Sequence, residues 1–168
     1  EQGSYIHSLS AVPEDAKRNL QIPMQGKLSA FWMAAAAAIY RRIWITEYEP
    51  EVFFSPQIKE MMGRVKCVSN PEFDKEFPHK CTCVTTIITT DGRTFKQRVD
   101  YPKGEPENPM TWDEMVEKFW AIYRDGSGSQ VMSKERHEEI LSRVRAMENE
   151  KDVGKLVELM ASDKGYSG

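Results

Sequence analysis

The sequence predicts an α+β fold: a small antiparallel sheet built on a β-hairpin and packed by several helices. Three observations carry this. Two β-branched runs flank Asp91-Gly92 (CTCVTTIITT, then RTFKQRVDYP), an alanine-rich apolar run (AFWMAAAAAIY) occupies positions 30–40, and apolar residues recur at helical spacing beyond position 110. At 168 residues the chain can bury one real core, or a core plus an extra helical layer. Hydrophobic residues at 40% and charged residues at 29% place it among globular proteins rather than disordered ones.

Residues 1–25 are polar, lack a clear period, and read as an arm or linker. Domain structure is expected over 26–162, with a frayed tail at 163–168. A helix is expected from Lys27 to Arg41. Its alanines cost little entropy and allow close approach by a neighbour, and because it is apolar nearly all round it should be covered on more than one side. The run is too short for a membrane span, which needs about 20 residues. Its charges, Arg41-Arg42, follow the apolar stretch instead of preceding it as in a secretory signal.

Ser55-Pro56 supplies an N-cap and an N1 proline for a helix whose stripe is Ile58, Met61, Met62 and Val65. Val65–Val68 is a candidate short strand. With Asp91-Gly92 as a two-residue type I′ turn, Ile88 lies opposite Phe95 and Val84 opposite Val99. All four would then sit on the face packed by helices, with Thr85, Ile87, Lys96 and Arg98 on the other. Thr111-x-x-Glu114 is a capping box, opening a helix with Trp112, Met115, Val116, Phe119 and Tyr123 on its inner side. The run from Asp125 to Ser129 breaks it. Two further amphipathic helices are expected, at 133–149 (Ile140, Leu141, Val144, Met147) and 151–161 (Val153, Leu156, Val157, Met160).

The chemistry is sparse. A net charge of −3 makes no electrostatic case for nucleic acid or an acidic membrane surface. Cys67, Cys81 and Cys83 are odd in number and lack zinc-type spacing, which suits reduced thiols in a cytoplasmic protein. His7, His79 and His137 stand at no metal-ligand spacing, and His137, beside Glu138 and Glu139, reads as part of a solvated helix face. No GxSxG, P-loop or GxGxxG motif is present. Neither metal nor cofactor is expected, and no catalytic residue can be named. The exception is the loop 101–109 (YPKGEPENP), long for a strand-to-helix connection. In it Lys103-Gly104 joins a flexible cation to backbone that can approach a ligand closely. It reads either as a proline-shaped loop ending at a helix cap or as a ligand-facing or interface element.

The ordered set of segments resembles a family. DGRTF, then VDYPKGEPENPMTWDEMVEKF, looks like the part of MmgE/PrpD (2-methylcitrate dehydratase) proteins in which a hairpin precedes a "KG…NP" loop and a "KF" helix. SAFWMAAAAAIY followed by FFSPQIKEMMGRVKCV, and HEEILSRVRAMENEKDVGKLVELM downstream, are similar to its small-residue helix and closing helices. The likeness covers about Ile22 to Met160. It implies the C-terminal lid-like domain of a two-domain enzyme whose larger N-terminal domain is helical. Activities of that family are dehydration, decarboxylation or epimerisation of small polycarboxylates by proton transfer without a required metal. Where several relatives carry a His at the helix start and a Tyr four residues later near the substrate, this chain has Leu28 and Trp32. Leucine cannot transfer a proton, and indole can donate a hydrogen bond but cannot serve as a phenol acid.

The expectation is therefore a lid domain or separate subunit that is inactive without the helical domain, or a non-catalytic structural or regulatory module of the same fold. Ser29, Trp32, Lys103 and Gly104 are the residues expected to face a substrate or an interface. The partners expected are the helical domain, a partner subunit or a second copy, with a small polycarboxylate ligand, no nucleic acid and no membrane. That the chain begins with Glu1 rather than Met suggests trimming or a piece of something longer.

Overall fold

The computed structural model describes residues 1–126 and 128–161. The chain divides into two units, Glu1–Met110 and Thr111–Gly168, so the stretch 26–162 expected as one domain falls in both. The fold class is the expected α+β: helices accompany a two-stranded antiparallel sheet. The tail at 163–168 lies outside the described residues.

In the first unit, residues 1–25 are built into the structure and are not a linker. Helix α1 spans Ser4–Ser10 and α2 spans Glu14–Arg18, while Ala11 between them is buried in the core. Helices this short cannot announce themselves by period, and polar contacts hold them. The Arg18 guanidinium donates to the carbonyls of Met62 and Val65 (2.8 Å to the latter) and lies 3.9 Å from the Phe31 ring centroid.

A 3₁₀ turn at Pro23–Leu28 leads into α3, Ala30–Tyr40, whose N-cap Ser29 accepts from the Trp32 N–H at 3.2 Å. Phe31, Trp32, Ala35 and Ala36 are buried, whereas Ala34, Ala37 and Ala38 face solvent. The expected covering on more than one side is not needed, because a methyl group exposes little apolar surface. A second 3₁₀ turn (Ile45–Tyr48) and α4 (Pro50–Phe53) bring Tyr48 and Phe53 onto Trp32, with ring centroids at 4.8 and 4.6 Å. Helix α5, Pro56–Arg64, adds Ile58 and Met62 to this core. Pro56 sits at its first position as expected, but the Ser55 hydroxyl makes no cap bond.

Val65–Val68 forms no strand. Gln2 pairs there instead, its N–H donating to the Val68 carbonyl at 3.0 Å and its carbonyl accepting from Asn70 at 2.8 Å. The hairpin consists of β1 (Cys83–Ile88) and β2 (Thr94–Val99), in register Cys83–Val99 through Ile88–Thr94. This is one residue away from the expected pairing. The Thr89 N–H donates to the Arg93 carbonyl and the Gly92 N–H to the Thr89 carbonyl, both at 2.9 Å, so the loop has three residues, Thr90-Asp91-Gly92. A type I′ turn needs positive φ at both central residues, but Asp91 is not in that region, and Gly92 alone takes it at +86°. The slip moves Ile88 to the face opposite Phe95. Val84 is buried, but Phe95 is 53% exposed, Ile88 72%, and Val99 also faces solvent.

At the foot of the hairpin Asp100 accepts from the Thr82 hydroxyl (2.9 Å) and from Arg98 (2.7 Å), while Glu76 accepts from Lys80 (2.6 Å) and Arg98 (3.0 Å). The hydrogen bond from Thr82 holds the Asp100 carboxyl below the usual range, and that from Lys80 does the same for Glu76.

In the second unit, α6 (Trp112–Asp125) opens on the expected capping box: Glu114 N–H to Thr111 Oγ1 at 3.2 Å, and Thr111 N–H to Glu114 Oε2 at 2.7 Å. The short α7 (Gly128–Val131), then α8 (Lys134–Arg145), a 3₁₀ turn at Met147–Asn149 and α9 (Val153–Leu159) follow. Met132, Ile140 and Leu156 are buried; Met115, Met147, Val153, Val157 and Met160 of the expected inner stripes are exposed. Arg136 closes α9 by donating to the carbonyls of Leu159 (2.6 Å) and Glu158 (2.9 Å).

Two glycines test the packing. A Cβ on Gly26 would lie 2.5 Å from the Phe53 ring, pushing it off Trp32, whereas one on Gly63 in α5 would meet nothing within 4 Å. Gly26→Ala is expected to destabilise by about 1–3 kcal/mol, and Gly63→Ala to stabilise by about 0.5–1 kcal/mol. Chemical denaturation of the two variants checks both, and equal midpoints would contradict the ring contact.

Acid reports on the Glu76–Lys80–Arg98–Asp100 network. Both carboxyls have folded pKa values below their unfolded ones, so their contribution is present above the unfolded value of roughly 4 and lost as pH falls through the folded values. Thermal midpoints are expected to drop on acidification below about pH 4, and Asp100→Asn to flatten that drop. Parallel profiles for parent and variant would remove Asp100 from the account.

Candidate functional site

Of the four residues expected to face a substrate or an interface, two are core residues. Ser29 is fully buried, its hydroxyl donating to the Lys17 carbonyl at 2.6 Å and accepting from Trp32, so it ties α2 to α3. Trp32 is 1% exposed, and its Nε1–H donates to the Phe53 carbonyl at 3.3 Å. The Trp32 indole is therefore satisfied within one chain. Leu28, four residues earlier, is 57% exposed and points elsewhere. These positions do not make a site together.

Lys103 and Gly104 do lie at the surface, on a loop that braces itself. The Gly104 N–H donates to the Asn108 carbonyl at 2.8 Å, the Asn108 N–H to the Glu105 carbonyl at 2.9 Å, and the Asn108 side chain to the Tyr101 carbonyl at 3.1 Å. Gly104 takes φ +104°, which a side chain would strain, although a Cβ there would meet no neighbour. The loop starts from Asp100, so the salt-bridge network described above anchors its root. The result is a braced, cation-bearing knuckle on the surface. Among the described residues of this loop no acid and base converge.

Elsewhere the chemistry is equally sparse. His137 is not on a solvated face: its ring is half-buried against Tyr123 (4.4 Å between centroids), Phe119 (5.5 Å) and Trp120 (6.3 Å), and its Nδ1 lies 3.0 Å from the Ser133 carbonyl oxygen. The signal was available as the i, i+4 spacing from Ser133 and the aromatic face of α6. Among the described residues no group of three or more His, Cys, Asp or Glu side chains converges as a metal site would require. The Cys67 thiol is pushed up by burial, away from the thiolate form of a nucleophile. Among the described residues no helix is long and apolar enough to cross a membrane.

Residues 7–148 match the MmgE/PrpD C-terminal domain. A cis-aconitate decarboxylase-like protein of Aspergillus oryzae is 29% identical over 82% of this chain, and the cis-aconitate decarboxylase of Mus musculus is 23% identical over 77%. The matched regions are 27% and 25% of those proteins, so the chain spans about a quarter of the length of the curated relatives it matches. With a match from α1 to the 3₁₀ turn after α8, this chain belongs to the MmgE/PrpD family and corresponds to its C-terminal domain.

Proposed function

We propose that this chain is the lid-like C-terminal domain of a cytoplasmic enzyme that acts on a small polycarboxylate by metal-independent proton transfer, and that it is inactive without the helical domain. The family match over residues 7–148, joined to relatives named for decarboxylation of cis-aconitate, carries the reading. Loss of CO₂ from such a substrate leaves electron density on carbon that an acid within hydrogen-bond reach must protonate. The close acid–cation pairs of this chain, such as Glu76 with Lys80, are taken as ion pairs that brace the hairpin, and the proton-transfer groups are assigned to the helical domain. The Lys103-Gly104 knuckle is assigned to a substrate carboxylate or to the rim of the helical domain. Three cysteines outside any disulfide favour a reducing compartment.

A second reading, a structural or regulatory module without chemistry, draws on Leu28 and Trp32. One is an exposed hydrocarbon and the other is held in the core.

Proton NMR of cis-aconitate and 2-methylcitrate incubated with the purified chain is expected to show no turnover above a heat-treated control. Turnover by the chain alone would overturn the assignment of catalysis to the helical domain. The chain is then co-expressed with the Aspergillus oryzae relative cut back to remove the region it matches. The enzyme reading expects a complex that consumes cis-aconitate; a stable complex without turnover supports the module instead.

A further inference from the structure

We propose that the outer edge of β1, at Thr86 and Ile88, is a strand-accepting site, and that its occupant is the backbone leading into Glu1 from upstream. The occupant rests on the reading above, in which a helical domain precedes this one. In an antiparallel ladder, residues alternate between pairs bonded to each other and pairs whose N–H and carbonyl groups point outward. The Thr89–Arg93 bond fixes the phase of this ladder. On β1, Val84, Thr86 and Ile88 therefore point their backbone groups away from β2.

Val84 is already paired on that side. Its N–H donates to the Glu1 carbonyl at 2.9 Å, and the Glu1 amino group donates to the Val84 carbonyl at 2.7 Å. Gln2 continues the contact as an antiparallel bridge to Cys83. This is the first rung of a third strand. Thr86 and Ile88 are exposed, and among the described residues no backbone group meets their outward N–H or carbonyl. In the same register, the second and fourth residues upstream of Glu1 fall opposite Thr86 and Ile88. The first and third fall on the face of Ile87, which is otherwise half exposed.

The other edge of the hairpin is guarded. Thr94, Lys96 and Arg98 point outward on β2, and edge lysines and arginines discourage pairing. The Arg98 carbonyl is also taken by the Gln97 side-chain amide at 2.9 Å. The edge of β1 bears no charge between Val84 and Ile88. The two edges thus differ in the way expected if only one is built to accept a strand.

The test is amide hydrogen exchange, read by NMR on the full chain carrying a six-residue upstream extension of alternating Thr and Val joined to Glu1. A Gly-Ser extension of equal length is the control. The alternating extension is expected to slow exchange at Thr86 and Ile88 about tenfold or more, with no change at Thr94, Lys96 or Arg98. Thr86→Pro removes only an outward N–H, which an edge strand tolerates, and should abolish the protection at Ile88 while the β1–β2 ladder persists. Equal exchange with both extensions, or protection on the β2 edge, overturns the proposal. Protection that grows with protein concentration would make a second copy the occupant and overturn the assignment to the entering backbone. None of these readouts depends on catalysis, so a failed turnover assay leaves them standing.

Discussion

The burial of Trp32 is the constraint on which the rest of the first unit depends. An indole placed in a core must be covered on both faces and must satisfy its N–H. Phe53 stacks on it at 21° between planes, Tyr48 leans against it, and the Phe53 carbonyl takes the N–H. Each of these demands fixes a neighbouring element. The 3₁₀ turn at Pro23–Leu28 must bring glycine to position 26, because any side chain there would strike Phe53. The turn at Ile45–Tyr48 and helix α4 must deliver two aromatic rings to one place. Ser29 then links the start of α3 to the end of α2 through a hydroxyl that both donates and accepts. The same packing sets Trp32 at the centre of a core.

What could be read from the sequence, and what could not, follows from the range of each signal. The capping box of α6 was legible because Thr111 and Glu114 complete it within four residues. The hairpin was legible too, since β-branched runs around Asp-Gly permit little else. Its register was not. Asp91-Gly92 suits a two-residue turn or the end of a three-residue one, and the choice rests on whether Asp91 takes positive φ. Here Asp91 accepts from the Thr89 hydroxyl and from the Arg93 side chain (2.7 Å), and both bonds favour the longer loop. The structure of residues 1–25 is not legible locally for a different reason. Their anchoring bonds join Arg18 to α5 and Gln2 to positions 68 and 70, separations at which a local pattern carries no information.

The candidate site divided in the same way. The freedom of Gly104 is legible because positive φ is a local property that glycine alone bears without strain. The bracing of its loop by Asn108 and the anchoring of its root by Asp100 needed the fold. The ordered likeness of several segments to one family survived these errors, because order along a chain does not depend on register or on which side of a helix is buried.

The exposed apolar surface of the hairpin is then the informative anomaly. Ile87, Ile88, Phe95 and Val99 are types that a lone two-stranded ribbon gains nothing by showing to water, and such ribbons are marginal by themselves. Packing does not explain them, for Val84 is the single buried residue of either strand. Chance hydrophobicity does not explain why the cations stand on the outer positions of β2 while the outer positions of β1 are neutral. A hairpin that forms part of a larger sheet explains both: one edge is kept open for pairing, one edge is charged against it, and the apolar face awaits cover. On that account the three-residue loop has a consequence beyond the turn. By shifting the register by one residue, it sets Val84 rather than Cys83 with its backbone outward, and so makes the pairing with Glu1 that begins the open edge.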